Sequence, residues 1–571
     1  MKKTYILFTS LFAFLLTGCD FLDKNPDMRA SIDTKQKVQL LLVSAYTNGN
    51  SGPIMEFSSD NIIDNNAPDK YGKCRSLLPL DKMYDEIFGW EPVVSSGAQD
   101  SPKYLWDANY VAIAAANQAL KAIERLEAQG IDMSAEKGEA LLIRAYHHFM
   151  LVNVFCQAYR TDELSKQDLG IVYMTEPETT VKPTYTRPSL TDTYNNIKKD
   201  LEEGLQLVSD NYYTVPKYHF NVAAANAFAA RFYLYHREWA KVVECADKVL
   251  GTDDATVLGK LFDHHYEHIV CTDIEQSMNA WIDVKSPSNL LIYTTMSQAP
   301  YTNFADYGRY QSKDAALDYS LTGKGPCWGD RNLVGALSVW SIGSDQYGSF
   351  LGKFYYLFEF TDKVNGYGYI HGVTRAFTCD ELLLNRAEAK VYLNNLDGAT
   401  NDLRLWCENM NVNKKVMTMN ADSTVKLNRT VIKNFYTQNA GTPFAPELHN
   451  TEMVPDGTMA ISAEQLPLIH CCLHFRRIES FHDGQRWCDL KRYGIEITHQ
   501  QGKDPLKTLK WNDERRAIQL PQEVILAGMT PNPRTDMSLP TSGSATTTTP
   551  PSEPTVTIFP VGLGSVSKAT K

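Results

Sequence analysis

The sequence predicts a mostly α protein of tetratricopeptide-like helix pairs forming a right-handed superhelical scaffold, with long aromatic-rich loops and a few short strands. Three observations carry that expectation. Apolar stripes spaced three and four residues apart recur along the 571-residue chain, as the buried face of an amphipathic helix requires. Two stretches, 221–250 and 380–409, each hold two such stripes with small residues where the helices would cross. Between 252 and 376 the periodicity fades while glycine and aromatic residues rise.

Composition bounds the function. The chain is 43% hydrophobic and 22% charged, with a formal net charge of −11. That is enough apolar material for a large core, and no basic patch is set aside to neutralise phosphates, so a nucleic-acid partner is excluded. Without Lys2 and Lys3, 54 basic residues face 67 acidic ones, a charge of −13. An electrostatic membrane-binding surface is therefore not expected either.

Residues 1–18 have the pattern of an export leader. Lys2 and Lys3 form the positive end, and the 13 residues Thr4 to Leu16 form the apolar block. As a helix that block spans about 20 Å, short of the roughly 30 Å of a hydrocarbon core. The run Leu16-Thr17-Gly18-Cys19 resembles the bacterial lipobox, which implies cleavage before Cys19 and acylation of its thiol. Two or more acyl chains anchor stably, and no later stretch is apolar for 18 residues, so the membrane is reached through the lipid anchor only.

The elements follow in order. Ala112, Ala116, Ala119, Ile123 and Leu126 form one stripe, and Leu141, Ala145, Phe149, Val152 and Phe155 the next. Leu190, Tyr194, Ile197, Leu201, Leu205 and Val208 form a third, with Ser189 as its N-cap. The pair in 221–250 joins at His236-Arg237-Glu238, its second helix carrying Trp239, Val243, Ala246 and Leu250; the pair in 380–409 breaks at Asn394-Asn395. The scaffold is thus expected over 30–251 and 377–535 of a body covering 19–537, with a loop-rich insertion at 252–376. Residues 538–571 begin Thr/Pro/Ser-rich and are expected to be disordered. The ten cysteines after Cys19 form no C-x-x-C pair, so buried free thiols are expected, with one or two disulfides permitted by export.

Two constellations could carry chemistry. Within "FDHHYEH" (262–268), His264 and His268 stand four apart with Asp263 or Glu267 beside them, a metal-like spacing. The order is not H-E-x-x-H, and a solvated helix end is the expectation, a structural metal site the alternative. In "RRIESFHDGQRWCDLKRYG" (476–494), Arg477, Glu479, Asp483, Arg486, Asp489 and Arg492 fall partly on helical spacing and are expected to brace one another. Glu479 and Asp483 could instead form a catalytic pair, but each has an arginine within helical reach, which lowers a carboxyl pKa, whereas a general acid needs it raised. With no phosphate-binding glycine loop and no nucleophile elbow, no enzyme activity, catalytic residue, metal or cofactor is expected.

Several segments together resemble the SusD/RagB family of outer-membrane nutrient-binding lipoproteins. "CDFLDKNP" (19–26) is similar to its mature N-terminus; "GEALLIRAYHHFMLVNVF" (138–155) matches its G-E-A-x-F-L-R-A helix at Gly138, Glu139, Ala140, Arg144 and Ala145; "DELLLNRAEAKVYLN" (380–394) resembles its L-L-x-R-A-E-A helix. "RRIESFHDGQRWCDLKRYG" is similar to its R-R-x-E-L-x-F-E-G-x-R-W motif, and "LPQEVILAGMTPNP" (520–533) to its closing segment. Phe475, Ser480 and Asp483 depart from the usual Glu, Leu and Glu, and 538–571 extend past the family's end.

The resemblance implies capture at the cell surface: an oligosaccharide, or in some members a peptide, bound and handed to a SusC-like TonB-dependent outer-membrane barrel for which the lipoprotein acts as a lid. Loop position and ring chemistry choose the candidate sugar platforms, Trp90, Tyr301, Tyr307, Tyr310 and Trp328, with Asp60, Asn303 and Asp306 as polar partners. The competing classes are a tethered glycan-degrading enzyme and a helical-repeat adaptor for protein peptides.

Overall fold

A computed structural model describes residues 32–534 apart from 70, 80, 179–183, 300–307, 313–321, 332–338, 343–347, 355 and 413–416, together with 566–568. The leader, Cys19, Tyr301, Asn303, Asp306 and Tyr307 lie outside the described residues. The protein is mostly helical. Its principal helices are α1 (Lys35–Val43), α2 (Gly52–Phe57), α3 (Met83–Phe88), α4 (Pro102–Glu127), α5 (Ser134–Phe155), α6 (Leu190–Leu207), α7 (Val222–His236), α8 (Trp239–Leu250), α9 (Ile274–Ile282), α10 (Cys379–Tyr392), α11 (Leu396–Asn409), α12 (Arg429–Gln438), α13 (Leu466–Glu479) and α14 (Gln485–Tyr493). The strands are β1 (Ile63–Asp64), β2 (Asn289–Thr295), β3 (Tyr310–Gln311), β4 (Val339–Ile342), β5 (Gly348–Leu351), β6 (Leu357–Asp362), β7 (Tyr367–Thr378), β8 (Ile497–His499), β9 (Lys507–Leu509) and β10 (Val566–Lys568).

The helices form where the stripes place them. Ser101 caps α4 by accepting from the Tyr104 N–H, with Pro102 at the first helical position, and its five stripe residues are buried. Helix α5 packs between α4 and α6 and is buried almost all round, so its amphipathic contrast is weak. Close approach of α5 to the end of α6 depends on Gly138, where a Cβ would stand 2.5 Å from the Val208 backbone nitrogen. Ser189 caps α6 as expected. Arg237 turns the chain between α7 and α8 at φ 69°, and Asn394 does the same between α10 and α11 at φ 58°, where Asn395 then caps α11.

Helix α8 packs on α7 and on α10, which in turn touches α11 and α13, with α12 against α13 and α14 against α2. The insertion is more regular than its sequence predicts: β2, β7 and β6 make an antiparallel sheet in the order β2-β7-β6, and β7 runs for 12 residues. Within the expected disordered tail, β10 pairs antiparallel with β4, Lys568 opposite Trp340. The ten cysteines are free thiols, nine of them buried. No helix among the described residues is long and apolar enough to cross a membrane.

Candidate functional site

The stretch 50–102 and the insertion at 252–376 meet at a two-strand junction. Strands β1 and β3 pair antiparallel, Ile63 opposite Gln311 and Asp64 opposite Tyr310. Below the ladder Arg309 donates to the buried Asp64 through Nε (3.1 Å) and Nη2 (2.9 Å) and to Asp85 through Nη1 (2.8 Å). Tyr310 adds its hydroxyl to Asp85, and the Gly502 N–H donates to Asp64 at 2.8 Å. One more rung continues the pairing, from the Asn65 N–H to the Arg309 carbonyl at 2.8 Å. The antiparallel sense makes the chain after β1 and the chain before β3 leave from the same end. The loop after β1, which carries Tyr71, leaves from that end.

A column of rings floors this junction. Ring centroids lie 4.6 Å apart for Phe57 and Tyr84, 4.7 Å for Phe88 and Tyr310, 4.0 Å for Phe88 and His499, and 4.3 Å for Trp90 and His499. Trp90 is 5% exposed, Tyr310 3% and Trp328 0%. These three expected platforms are corrected: none presents an open ring face, because each is core with its polar atom satisfied inside. The Trp90 indole donates to the Ser58 carbonyl at 2.9 Å, and that of Trp328, packed against His474 and Phe475, to the Thr322 carbonyl at 3.0 Å. Asp60 is corrected likewise. Its carboxylate accepts two bonds from Arg486, at 2.9 and 2.8 Å; burial alone would raise its pKa, but Arg477 and Arg486 hold it well below the usual carboxylate range. It is a fixed counter-ion. Sequence reasoning passed over Tyr71, 82% exposed on loop 65–81. The signal was its setting, since a ring between Asp69 and Gly72, which turns at φ 74°, has no stripe to pack on.

Cavities elsewhere among the described residues include two that bear on binding. One of about 250 Å³ is walled by Trp106, Tyr110 and Tyr185, with Glu176 and Glu178 at its edge. The other, about 80 Å³, is polar and lined by Tyr146, Arg231, Tyr293, Lys353, Glu479 and Asp483 among others. It is far below the roughly 300–1,000 Å³ of small-molecule sites.

The charged motif braces the fold except at one residue. Arg476 bonds Asp489 through Nε at 2.8 Å and also reaches Glu388, which Arg492 and the Tyr493 hydroxyl hold from the other side. Arg477 and Arg486 close on Asp60. Asp483 pairs with Lys353 at 2.7 Å rather than with an arginine. Among the described residues Glu479 has no arginine in a salt bridge with it. Burial pushes its carboxyl up to about 7, with a further rise from Asp380, against the opposing pull of Lys353 and Arg375. The expectation of a lowered pKa at Glu479 fails because helical spacing says nothing of which neighbours the fold brings from other segments. His264, expected on a solvated helix end, is also corrected: it is 1% exposed and precedes a π-helical turn over Tyr266–Val270.

Comparison with known proteins agrees with this architecture. Residues 20–234 match the family model SusD-like_3, described as starch-binding associating with outer membrane. No curated protein matches the chain. Among solved structures it is similar to a candidate sugar-binding protein of Bacteroides vulgatus ATCC 8482, with 17% identity over 88% of this chain and 99% of that one and a TM-score of 0.58. It is similar also to SusD superfamily proteins of Bacteroides thetaiotaomicron VPI-5482 (18%, 87% and 99%, 0.54) and Bacteroides fragilis (17%, 87% and 98%, 0.54). The low identities establish a shared fold. The match to the SusD-like family model thus spans residues 20–234, and the fold of the solved structures is shared over most of the chain's length.

Proposed function

We propose that the protein is a lipoprotein of the outer-membrane surface, anchored through Cys19, that binds a nutrient oligosaccharide and delivers it to a SusC-like TonB-dependent barrel as a lid. The observation that carries this reading is the match to a family described as starch-binding and associating with the outer membrane, on a chain that begins with a lipobox-like leader. Fifteen residues separate Cys19 from Lys35, a tether reaching at most about 55 Å when extended.

The glycan contact falls at the open end of the β1–β3 junction, where the exposed Tyr71 stands, with Tyr301, Asn303, Asp306 and Tyr307 preceding β3 in the sequence. Sugars offer a C–H face to a ring and hydroxyls to amides and carboxylates. Two ring platforms, at about 150–250 Å² each and roughly 25 cal/mol/Å², give several kcal/mol gross, most of it offset by ordering the ligand. Binding is weak, and closure against the barrel supplies the rest. No catalytic step enters this reading.

Retention of the protein by a panel of immobilised polysaccharides tests it. Tyr71→Ala and Tyr307→Ala should each weaken retention on the one polysaccharide that holds the parent, and unchanged retention in both rejects the placement. Tyr185→Ala tests the second location, favoured by the three rings around the 250 Å³ cavity. Release of reducing ends from the panel would return the enzyme reading. Detergent pull-down of the lipidated protein should bring down a barrel, and recovery with peptides or soluble partners alone points to the adaptor or peptide-binding reading.

A further inference from the structure

Three buried groups that the proposed function leaves unused converge between the insertion and the scaffold. His264 comes from the insertion, Asp380 is the second residue of α10, and Glu479 is the last residue of α13. One ligand atom from each lies within 4.8 Å of the other two, and the residues are 1%, 0% and 5% exposed. Both ring nitrogens of His264 are buried without a hydrogen-bond partner among the described residues. Its faces and edges are set by Phe262, 4.9 Å away, and Trp281, 5.6 Å away, while those two rings stack on each other at 3.9 Å. A buried histidine with neither nitrogen satisfied is costly unless something else occupies the lone pair.

The carboxylates are oriented as supported ligands are. Asp380 accepts from the Ser288 hydroxyl, the Phe262 N–H (3.1 Å) and the Asn409 amide (3.3 Å), and Glu479 from the Trp406 indole at 3.1 Å. Such outer bonds fix ligating carboxylates. Neither carboxylate has a salt-bridge partner among the described residues. Lys353 is committed to Asp483 and to the Glu479 carbonyl, both at 2.7 Å, and the Arg375 guanidinium lies over the Trp281 ring at 4.6 Å.

We propose that His264, Asp380 and Glu479 form a site for one divalent transition ion of the zinc class, which staples the insertion onto helices α10 and α13. One imidazole and two carboxylates suit zinc, manganese or iron, whereas calcium wants six to eight oxygens. Bonds of about 2.0–2.2 Å in a tetrahedral shell put ligand atoms about 3.4 Å apart, so the side chains close by at most about 1.4 Å. Glu479 lines the 80 Å³ polar cavity, which offers water for the fourth position. His264 is kept neutral by burial, its pKa pushed down to about 3 with Arg375 and Lys353 adding to the effect, and neutral imidazole is the ligating form.

The test is isothermal titration of the EDTA-stripped, lipidated full chain with ZnCl₂, with cobalt(II) absorption as a spectroscopic readout of the coordination shell. We expect one zinc per chain and a visible cobalt band. His264→Ala and Glu479→Gln should each weaken zinc by more than about 100-fold, since loss of an outer-shell partner alone costs roughly 10–100-fold. His265→Ala, an exposed neighbour, should leave binding unchanged. Zinc should raise the melting temperature of the parent in a concentration-dependent way and leave that of His264→Ala where it was. If His264→Ala does not fold, His264→Gln with a native circular-dichroism spectrum takes its place. Absence of one-to-one uptake by the parent, binding unchanged in both ligand variants, or displacement of zinc by equimolar calcium overturns the proposal.

Discussion

Two carboxylate clusters about two helical turns apart along α10, both completed from α13 and the first also from α14, behave in opposite ways. At one, Glu388 and Asp489 face Arg476 and Arg492; burial alone would raise Glu388, but the two guanidinium groups hold it down to about 2. At the other, Asp380 and Glu479 face each other and an unsatisfied His264, and burial lifts Glu479 to about 7. Both lie in the same apolar interior. What separates them is which charges the fold delivers within contact, and the lesson is that one is a finished brace and the other an unfinished shell.

Breaking the finished brace should give the largest effect. Glu388→Gln leaves Arg476 and Arg492 short of a partner in the core and should destabilise by about 3–5 kcal/mol, read by denaturant unfolding. Lys353→Met comes next. It removes charged bonds to Asp483 and the Glu479 carbonyl and should lose roughly 1.5–3 kcal/mol, with a further rise in the Glu479 pKa detectable as a shifted pH profile.

Glu479→Gln sharpens the contrast with the smallest change. In EDTA at pH 5 the native carboxyl is already protonated, and the variant should differ by under about 1 kcal/mol. The folded-state pKa of about 7 stands above the ordinary glutamate value of 4.5, so the folded state holds the proton more tightly and stability falls as pH rises from about 4.5 to 7. The variant should flatten that fall and be the more stable at pH 8. Glu388 has the reverse sign. Its depressed pKa gives stability that is present above 4.5 and lost as pH falls toward 2. A profile in chelator with no decline between pH 5 and 8 would remove the contrast.

The helical frame was legible because each helix must bury one stripe, and the stripe is written in residue spacing. Ala112 through Leu126 on α4 and Leu141 through Phe155 on α5 are buried as their spacing requires, and Ser189 caps α6 by local chemistry alone. The insertion was not legible. The strands β2 and β7 are separated by the 71 residues 296–366 and find each other only through non-local pairing, which leaves no periodic trace in either segment. The candidate rings illustrate the limit at single residues. Aromatic character and loop position marked Trp90, Tyr310 and Trp328 as platforms, yet the same large apolar area that would hold a sugar is what drives a ring into the core when neighbours close over it.

By itself the sequence determined the helix pairs, their caps and the motifs that resemble the SusD/RagB family, because these depend on residues within a few turns of each other. Only the tertiary structure decided that β1 pairs with β3, that Asp60 is a counter-ion for Arg486, and that His264, Asp380 and Glu479 share one buried pocket. Those facts join residues far apart in the chain, and burial, which sets both ring exposure and carboxyl charge, belongs to the packed chain as a whole.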